Sequence, residues 1–90
     1  MLCTLSELCT REILNVSDGR RLGELRDLIV DGETGRLLAM LVPEKQKLFR
    51  LFHPREDIRI PWGAVKKLGP EVILVEIPGE YERERRFSRF

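Results

Sequence analysis

The stretch DIRIPWGAVKKLG, residues 57–69, alternates apolar and polar side chains like a β-strand and then breaks at Pro61. Proline has no N–H for a sheet ladder and a fixed φ, so it suits the last position of a strand and helps to turn the chain. The only tryptophan, Trp62, follows at once. We expect its ring to cap one end of a small barrel, and the alternative is an aromatic side chain that binds a partner.

Short apolar runs separated by Gly, Asp and Pro predict β-structure along most of the 90 residues, enough for one domain. The predicted strands are listed here by residue number: 12–16, 22–31, 37–42, 57–61, 65–68 and 72–77. A short helical turn is predicted to begin at Ser6 as N-cap. Asp18-Gly19 is a strong turn signal. Leu22, Leu25 and Leu28 cannot share one face of a regular strand, which predicts a bulge or bend near residues 23–27.

The strand at residues 37–42, LLAMLV, is apolar on both of its faces. One face belongs to the core, so the other needs a cover as well. Either a neighbouring segment or a second copy of the chain supplies it. The second possibility predicts a homodimer.

The order DGRRLGELRDLIVDGETGRLLAMLV and then DIRIPWGAVKKLGPEVILVE resembles the PRC-barrel family, over residues 5–77. The matching elements are Asp18-Gly19, Leu22-Gly23, Asp27-Leu28 with Val30-Asp31, Thr34-Gly35, Ile60-Pro61-Trp62 and residues 72–75. Ser6 to Leu8 and the segment LFRLFHPREDIRIPW look most like the stand-alone sporulation proteins of spore-forming bacteria. The resemblance implies an all-β, six-stranded barrel that serves as a binding or assembly module, with no catalytic residue to carry over.

Sixteen Lys and Arg against fifteen Asp and Glu leave a net charge of +1, which argues against attraction of the whole molecule to nucleic acid or anionic lipid. The longest apolar run, residues 37–42, is too short to span a bilayer. The N-terminal residues carry Glu7 and no basic cluster before an apolar stretch, unlike a signal peptide. We therefore expect a cytoplasmic protein without membrane insertion.

The predicted barrel domain covers residues 1–78, and a mobile, arginine-rich tail follows over residues 79–90. The leading hypothesis is contact with a protein partner or a second copy through apolar residues in two segments. These candidates are Phe49, Leu51 and Phe52, in an irregular basic segment, and Leu38, Met40 and Val42. The alternative is an RNA-binding or ribosome-assembly module that uses the tail, where Phe87 and Phe90 interleave with arginines. Its candidate contacts are Arg83, Arg85, Arg86 and Arg89.

Sites for catalysis, metals or cofactors are poorly supported by the sequence. Cys3, Cys9 and His53 are zinc-ligand types, but the cysteine spacing is wrong for a knuckle and only one histidine exists. The acids of residues 31–35, DGETG, lack the ligand series of a calcium loop and are better explained as a hairpin turn. We therefore predict a protein that is not an enzyme and holds no cofactor.

Overall fold

One short helix and eight β-strands make up the part of the chain that the structure describes. It is a computed structural model, and it describes residues 2–43 and 56–85, with the backbone alone at 84 and 85. The elements are α1 (Leu5–Cys9), β1 (Glu12–Asn15), β2 (Arg20–Glu24), β3 (Asp27–Val30), β4 (Leu37–Pro43), β5 (Glu56–Pro61), a 3-10 helix (Trp62–Ala64), β6 (Val65–Leu68), β7 (Val72–Val75) and β8 (Glu82–Arg85).

The described strands form two four-stranded sheets. Sheet 1 has the order β2-β1-β7-β6, in which β1 and β7 run parallel and the other neighbours antiparallel. Sheet 2 has the order β3-β4-β5-β8 and is antiparallel throughout. The all-β prediction is confirmed, while these strands form two sheets instead of one closed barrel.

The two sheets share one hydrophobic core. Sheet 1 contributes Ile13, Leu22, Ile73 and Val75, and sheet 2 contributes Met40, Val42, Ile58 and Ile60, with Leu25 and Tyr81 completing the cluster. The alternation predicted for residues 57–61 places Ile58 and Ile60 inward, where both are buried. Period-two patterning therefore decides which face of β5 packs inward.

The predicted bend near residues 23–27 is where the chain changes sheets. β2 ends at Glu24 in sheet 1 and β3 begins at Asp27 in sheet 2. Leu25 between them is buried in the core. The odd spacing of leucines thus reflects a corner between two strands, where side-chain alternation restarts.

Strand β4 is covered on both faces by its own chain. Its residues Ala39, Met40, Leu41 and Val42 are all buried. The sequence left two possible covers for this strand, a neighbouring segment or a second copy of the chain. These four residues are covered by their own chain. Leu38 remains at the surface, with 42% of its area exposed.

Two predicted details of the chain ends differ from the structure. Thr4, and not Ser6, is the N-cap of α1, because its hydroxyl accepts the Glu7 amide while the Glu7 carboxylate accepts the Thr4 amide. The chain also continues in regular structure past the predicted domain end at residue 78. Tyr81 is buried in the core and β8 pairs with β5.

The family resemblance implies six strands, and the described residues contain eight, for two reasons. The corner after Glu24 divides one predicted strand into β2 and β3. The segment after Pro78 supplies β8. Its alternating Glu and Arg carry no apolar signal, so its strand conformation was not predicted.

Candidate functional site

An open groove of about 440 Å³ lies at one end of sheet 2. It is lined by Arg36, Leu37, Leu38, Trp62 and Gly63. The start of β4 forms one side, and the 3-10 helix that follows β5 forms the other. The groove is therefore built where two neighbouring strands begin and end.

The exposure of Leu38 follows from a register shift between β3 and β4. Ile29 lies opposite Ala39, but Val30 lies opposite Leu37, so Leu38 has no opposite residue on β3. An extra residue on one strand bends it and redirects side chains. The shift explains why Leu38 lies at the surface, although Met40, two residues later, is fully buried.

The position of Trp62 follows from the end of β5 at Pro61. Pro61 pairs with Ala39, the last pair of the β4–β5 ladder, and has a φ of −57° as it leads into the 3-10 helix. Trp62 is half-buried and packs against the core. Trp62 therefore contacts the core and also lines the groove, and its role as the cap of a barrel stays a prediction.

Arg36 supplies the charge in this groove. Its side chain is exposed. No hydrogen bond or ion pair engages its guanidinium in the described part of the chain, where its backbone amide donates to Thr34 Oγ1. The groove thus combines an apolar floor with one cationic group.

A second, polar cleft of about 330 Å³ surrounds Tyr81. The Tyr81 hydroxyl donates to the Asp18 carboxylate and accepts a hydrogen bond from Asn15 Nδ2 at 3.0 Å. The guanidinium carbon of Arg20 lies 5.4 Å from the ring centroid, within cation–π range. The sequence gives no signal for this cluster, because Tyr81 lies 63 residues after Asp18.

The pKa shifts in this cleft favour the hydrogen bond between Tyr81 and Asp18. The hydrogen bond from Tyr81 lowers the pKa of Asp18 below its ordinary value of 3.8. Burial, and then the same hydrogen bond, raise the pKa of Tyr81 above 10.0. Both shifts keep the donor protonated and the acceptor ionised at neutral pH, as expected for a structural contact.

The family model for the PRC-barrel domain matches residues 3–81. The chain belongs to the PRC-barrel domain family. The match extends to Tyr81, so it includes the residue that fixes the segment after Pro78. In this PRC-barrel domain, both clefts lie within the matched residues, apart from Arg83 at the edge of the polar one.

Two similar proteins come from Bacillus subtilis (strain 168). The "Probable sporulation protein YlmC" is 32% identical over 76 residues, which are 84% of this chain and 94% of YlmC. The "Uncharacterized protein YmxH" is 37% identical over 78 residues, 84% of this chain and 91% of YmxH. An uncharacterised protein of Clostridium acetobutylicum is 29% identical over 72 residues, covering 80% of this PRC-barrel chain and 82% of its own length.

The structure places the predicted partner contacts of this PRC-barrel domain in different environments. Met40 and Val42 are fully buried in the core, so neither side chain is available at the surface. Leu38 is exposed and lines the groove. Phe49, Leu51 and Phe52 lie outside the described residues.

The predicted nucleic-acid contacts lie at or beyond β8. The Arg83 side chain turns back along its own strand, where Nη1 donates to the Tyr81 carbonyl oxygen at 3.0 Å. Arg85 lies in β8, and Arg86 and Arg89 lie outside the described residues. RNA binding through this segment therefore stays a prediction.

The weakly supported metal sites can be placed only in part. Cys3 and Cys9 are half-buried free thiols, and Arg11 Nη1 donates to Cys3 Sγ at 3.3 Å. Residues 2–43 and 56–85 contain no group of three metal-ligating side chains, and His53 lies outside these ranges. Asp31 accepts the backbone amides of Glu33 and Thr34, as in a hairpin turn.

No helix in residues 2–43 and 56–85 is long and apolar enough to cross a membrane.

Proposed function

We propose that this PRC-barrel domain is a non-enzymatic binding module that acts through protein–protein contacts in a cytoplasmic process of sporulation. The observation that carries the proposal is the groove lined by the exposed Leu38 and the half-buried Trp62. Aromatic and apolar side chains at a surface depression are typical of protein-binding sites. The sporulation context comes from YlmC, whose name describes it as a probable sporulation protein.

The chemistry of the groove supports binding more than catalysis. Among the described residues, the only charged side chain that lines the groove is Arg36, whose guanidinium donates hydrogen bonds and accepts none. A general acid or base needs a pKa near the working pH, and a nucleophile needs a base beside it. The lining therefore offers contact area and a fixed positive charge.

Self-association is part of the same proposal. A homodimer that forms through β4 would use Leu38 and the surface around it, since residues 39–42 of this strand are covered within one chain. Sedimentation velocity at several concentrations tests this form. A monomer at high micromolar concentration would leave a different protein as the partner.

Complementation in a spore-forming host tests the function. The chromosomal gene for this protein is deleted, and the strain is complemented with the wild type, Leu38→Asp or Val16→Asp. Leu38 and Val16 are similarly exposed, at 42% and 48%, but Val16 does not line the groove. We expect the wild type and Val16→Asp to restore heat-resistant spores and Leu38→Asp to fail. Normal spore counts with Leu38→Asp, at equal protein levels, would contradict the proposal.

A further inference from the structure

The groove is open and of moderate volume, which suits an extended peptide. Its volume of about 440 Å³ lies within the range of about 300–1,000 Å³ that small binding sites have. A Cβ built on Gly63 would meet nothing within 4 Å, so the groove is open at that point. A backbone can therefore run past Gly63 while one apolar side chain rests on Leu38 and Trp62.

Arg36 determines the charge that such a peptide should carry. Its guanidinium is exposed and lacks a carboxylate partner within the described ranges. Arginine pairs with carboxylates through two parallel hydrogen bonds, which gives both attraction and orientation. An acidic residue beside the apolar side chain of the peptide would complement it.

The same charge disfavours this chain as its own ligand. The apolar segments outside the described residues, KLFRLFHPR at 47–55 and RFSRF at 86–90, are both basic. Arg36 would repel either of them. Two grooves that meet face to face around a two-fold axis would bring two Arg36 side chains together. The charge pattern therefore favours a different protein as the partner.

We propose that the groove of Arg36, Leu38 and Trp62 binds an extended segment of another protein in which acidic residues flank an apolar side chain. The inference rests on the proposed protein-binding function and specifies the chemistry of the partner. The apolar side chain covers Leu38 and the indole, and a carboxylate beside it meets Arg36. Specificity then comes from the arginine and contact area from the two apolar residues.

Trp62 provides a direct readout because it is the only tryptophan in the chain. The probes are two peptides with blocked ends, Glu-Glu-Leu-Phe-Glu-Glu and Lys-Lys-Leu-Phe-Lys-Lys, which differ only in the sign of their charge. We expect the acidic peptide to shift Trp62 fluorescence saturably and to bind about fivefold or more tightly than the basic one. Equal affinity for the two peptides, or no shift with either at millimolar concentration, would overturn the inference.

Two charge-reversal variants locate the effect. Arg36→Glu is expected to reverse the preference between the peptides. Arg21→Glu changes another exposed arginine, in β2 and outside the groove lining, and is expected to leave the preference unchanged. Circular dichroism and thermal unfolding confirm that both variants fold. If Arg21→Glu changed the preference as much as Arg36→Glu, the binding would be unspecific attraction and the inference would be wrong.

A spore-formation assay distinguishes failure of this inference from failure of the proposed function on which it rests. If the peptides fail to discriminate while Leu38→Asp still blocks spore formation, the binding module uses the groove for another ligand. If Leu38→Asp forms normal spores, the proposed function fails whatever the peptides do. If the acidic peptide binds more tightly and Leu38→Asp blocks spore formation, Arg36→Glu is expected to lower spore counts and Arg21→Glu is not.

Discussion

The side-chain hydroxyl of Tyr81 donates a hydrogen bond to the carboxylate of Asp18, 63 residues earlier in the chain. Asn15, fully buried, donates to the same hydroxyl and exchanges hydrogen bonds with the backbone of Ile77 at 3.0 and 3.1 Å. The turn between β1 and β2 is thereby joined to the segment that enters β8. Since Glu82 and Arg83, which follow in β8, are charged and exposed, Tyr81 is the apolar anchor of that segment.

Removal of the Tyr81 hydroxyl should weaken this anchor without opening the core. Tyr81→Phe keeps the ring and deletes a donor to Asp18 and an acceptor for Asn15. We expect the free energy of unfolding to fall by about 1–2 kcal/mol, the usual effect of losing buried hydrogen bonds. Urea unfolding measures it.

A double-mutant cycle assigns that loss to the Asp18 contact. Asp18→Asn with Tyr81→Phe should destabilise less than the sum of the single variants, since both remove the same hydrogen bond. Strict additivity of the two changes would show that the contact does not contribute to stability. Amide exchange should also quicken in β8 of Tyr81→Phe, and an unchanged rate there would argue against an anchoring role.

Stability should fall at both ends of the pH scale through the same pair. The folded pKa of Asp18 is below 3.8, so its contribution is complete above that pH and is lost as the pH falls through the folded value. The folded pKa of Tyr81 is above 10.0, so its contribution is complete below pH 10 and is lost as the pH rises.

The comparison with Tyr81→Phe isolates these two groups from other acids. Asp31 and Glu7 also have lowered pKa values, from backbone amide hydrogen bonds. Their protonation at low pH therefore destabilises the wild type and Tyr81→Phe alike. The unfolding free energy measured from pH 2 to 11 should therefore fall less steeply at both extremes in the variant. If the curves of unfolding free energy against pH ran parallel for the wild type and Tyr81→Phe, the role of the Asp18–Tyr81 pair would be contradicted.

The buried Asp57 carboxylate depends on Arg26. Arg26 Nε lies 2.8 Å from Asp57 Oδ2, and this contact joins the corner between the sheets to β5. Arg26→Met removes a cationic partner of this buried carboxylate and should cost about 2–4 kcal/mol, below the 3–5 of fully buried pairs because 33% of the Arg26 side chain is exposed.

The double variant Arg26→Met/Asp57→Leu is the control for that prediction. It removes both charges, so it should recover a substantial part of the stability lost by Arg26→Met alone. Thermal unfolding measures all three proteins. A double variant less stable than Arg26→Met would mean that the other contacts of Asp57 matter more than its charge.

The turn between β3 and β4 contains a matched pair of glycines. Gly35 has a φ of +76°, whereas Gly32 has no such constraint, and a Cβ at either position would meet nothing within 4 Å. Gly35→Ala should destabilise by about 1–2 kcal/mol through backbone strain. Gly32→Ala should be neutral or slightly stabilising, because it restricts the unfolded chain. Equal effects in thermal unfolding would contradict this assignment of the strain to Gly35.

Local patterns predicted a large part of the fold. Alternation at residues 57–61 placed Ile58 and Ile60 inward, and the proline marked the end of β5 at Pro61. Irregular leucine spacing located the corner near Leu25. These predictions succeeded because strand faces and strand ends depend on neighbouring residues.

The candidate site was predicted less completely. Leu38 was selected together with Met40 and Val42 because all three share one apolar stretch, and only the register shift against β3 separates the exposed residue from the buried ones. Arg36 carried no signal, since an arginine after a turn is common on any surface. Its role depends on Trp62, 26 positions later and across the β4–β5 ladder.

The sequence by itself determined the all-β class, the inward faces of the strands and the turns, because hydrophobic periodicity and the backbone limits of Gly and Pro act over a few residues. Tertiary structure decided the division into two sheets, the cover of β4, the anchoring of Tyr81 and the meeting of Leu38 with Trp62. Those features depend on register and on contacts between residues far apart in the chain, and such contacts leave no local pattern in either partner.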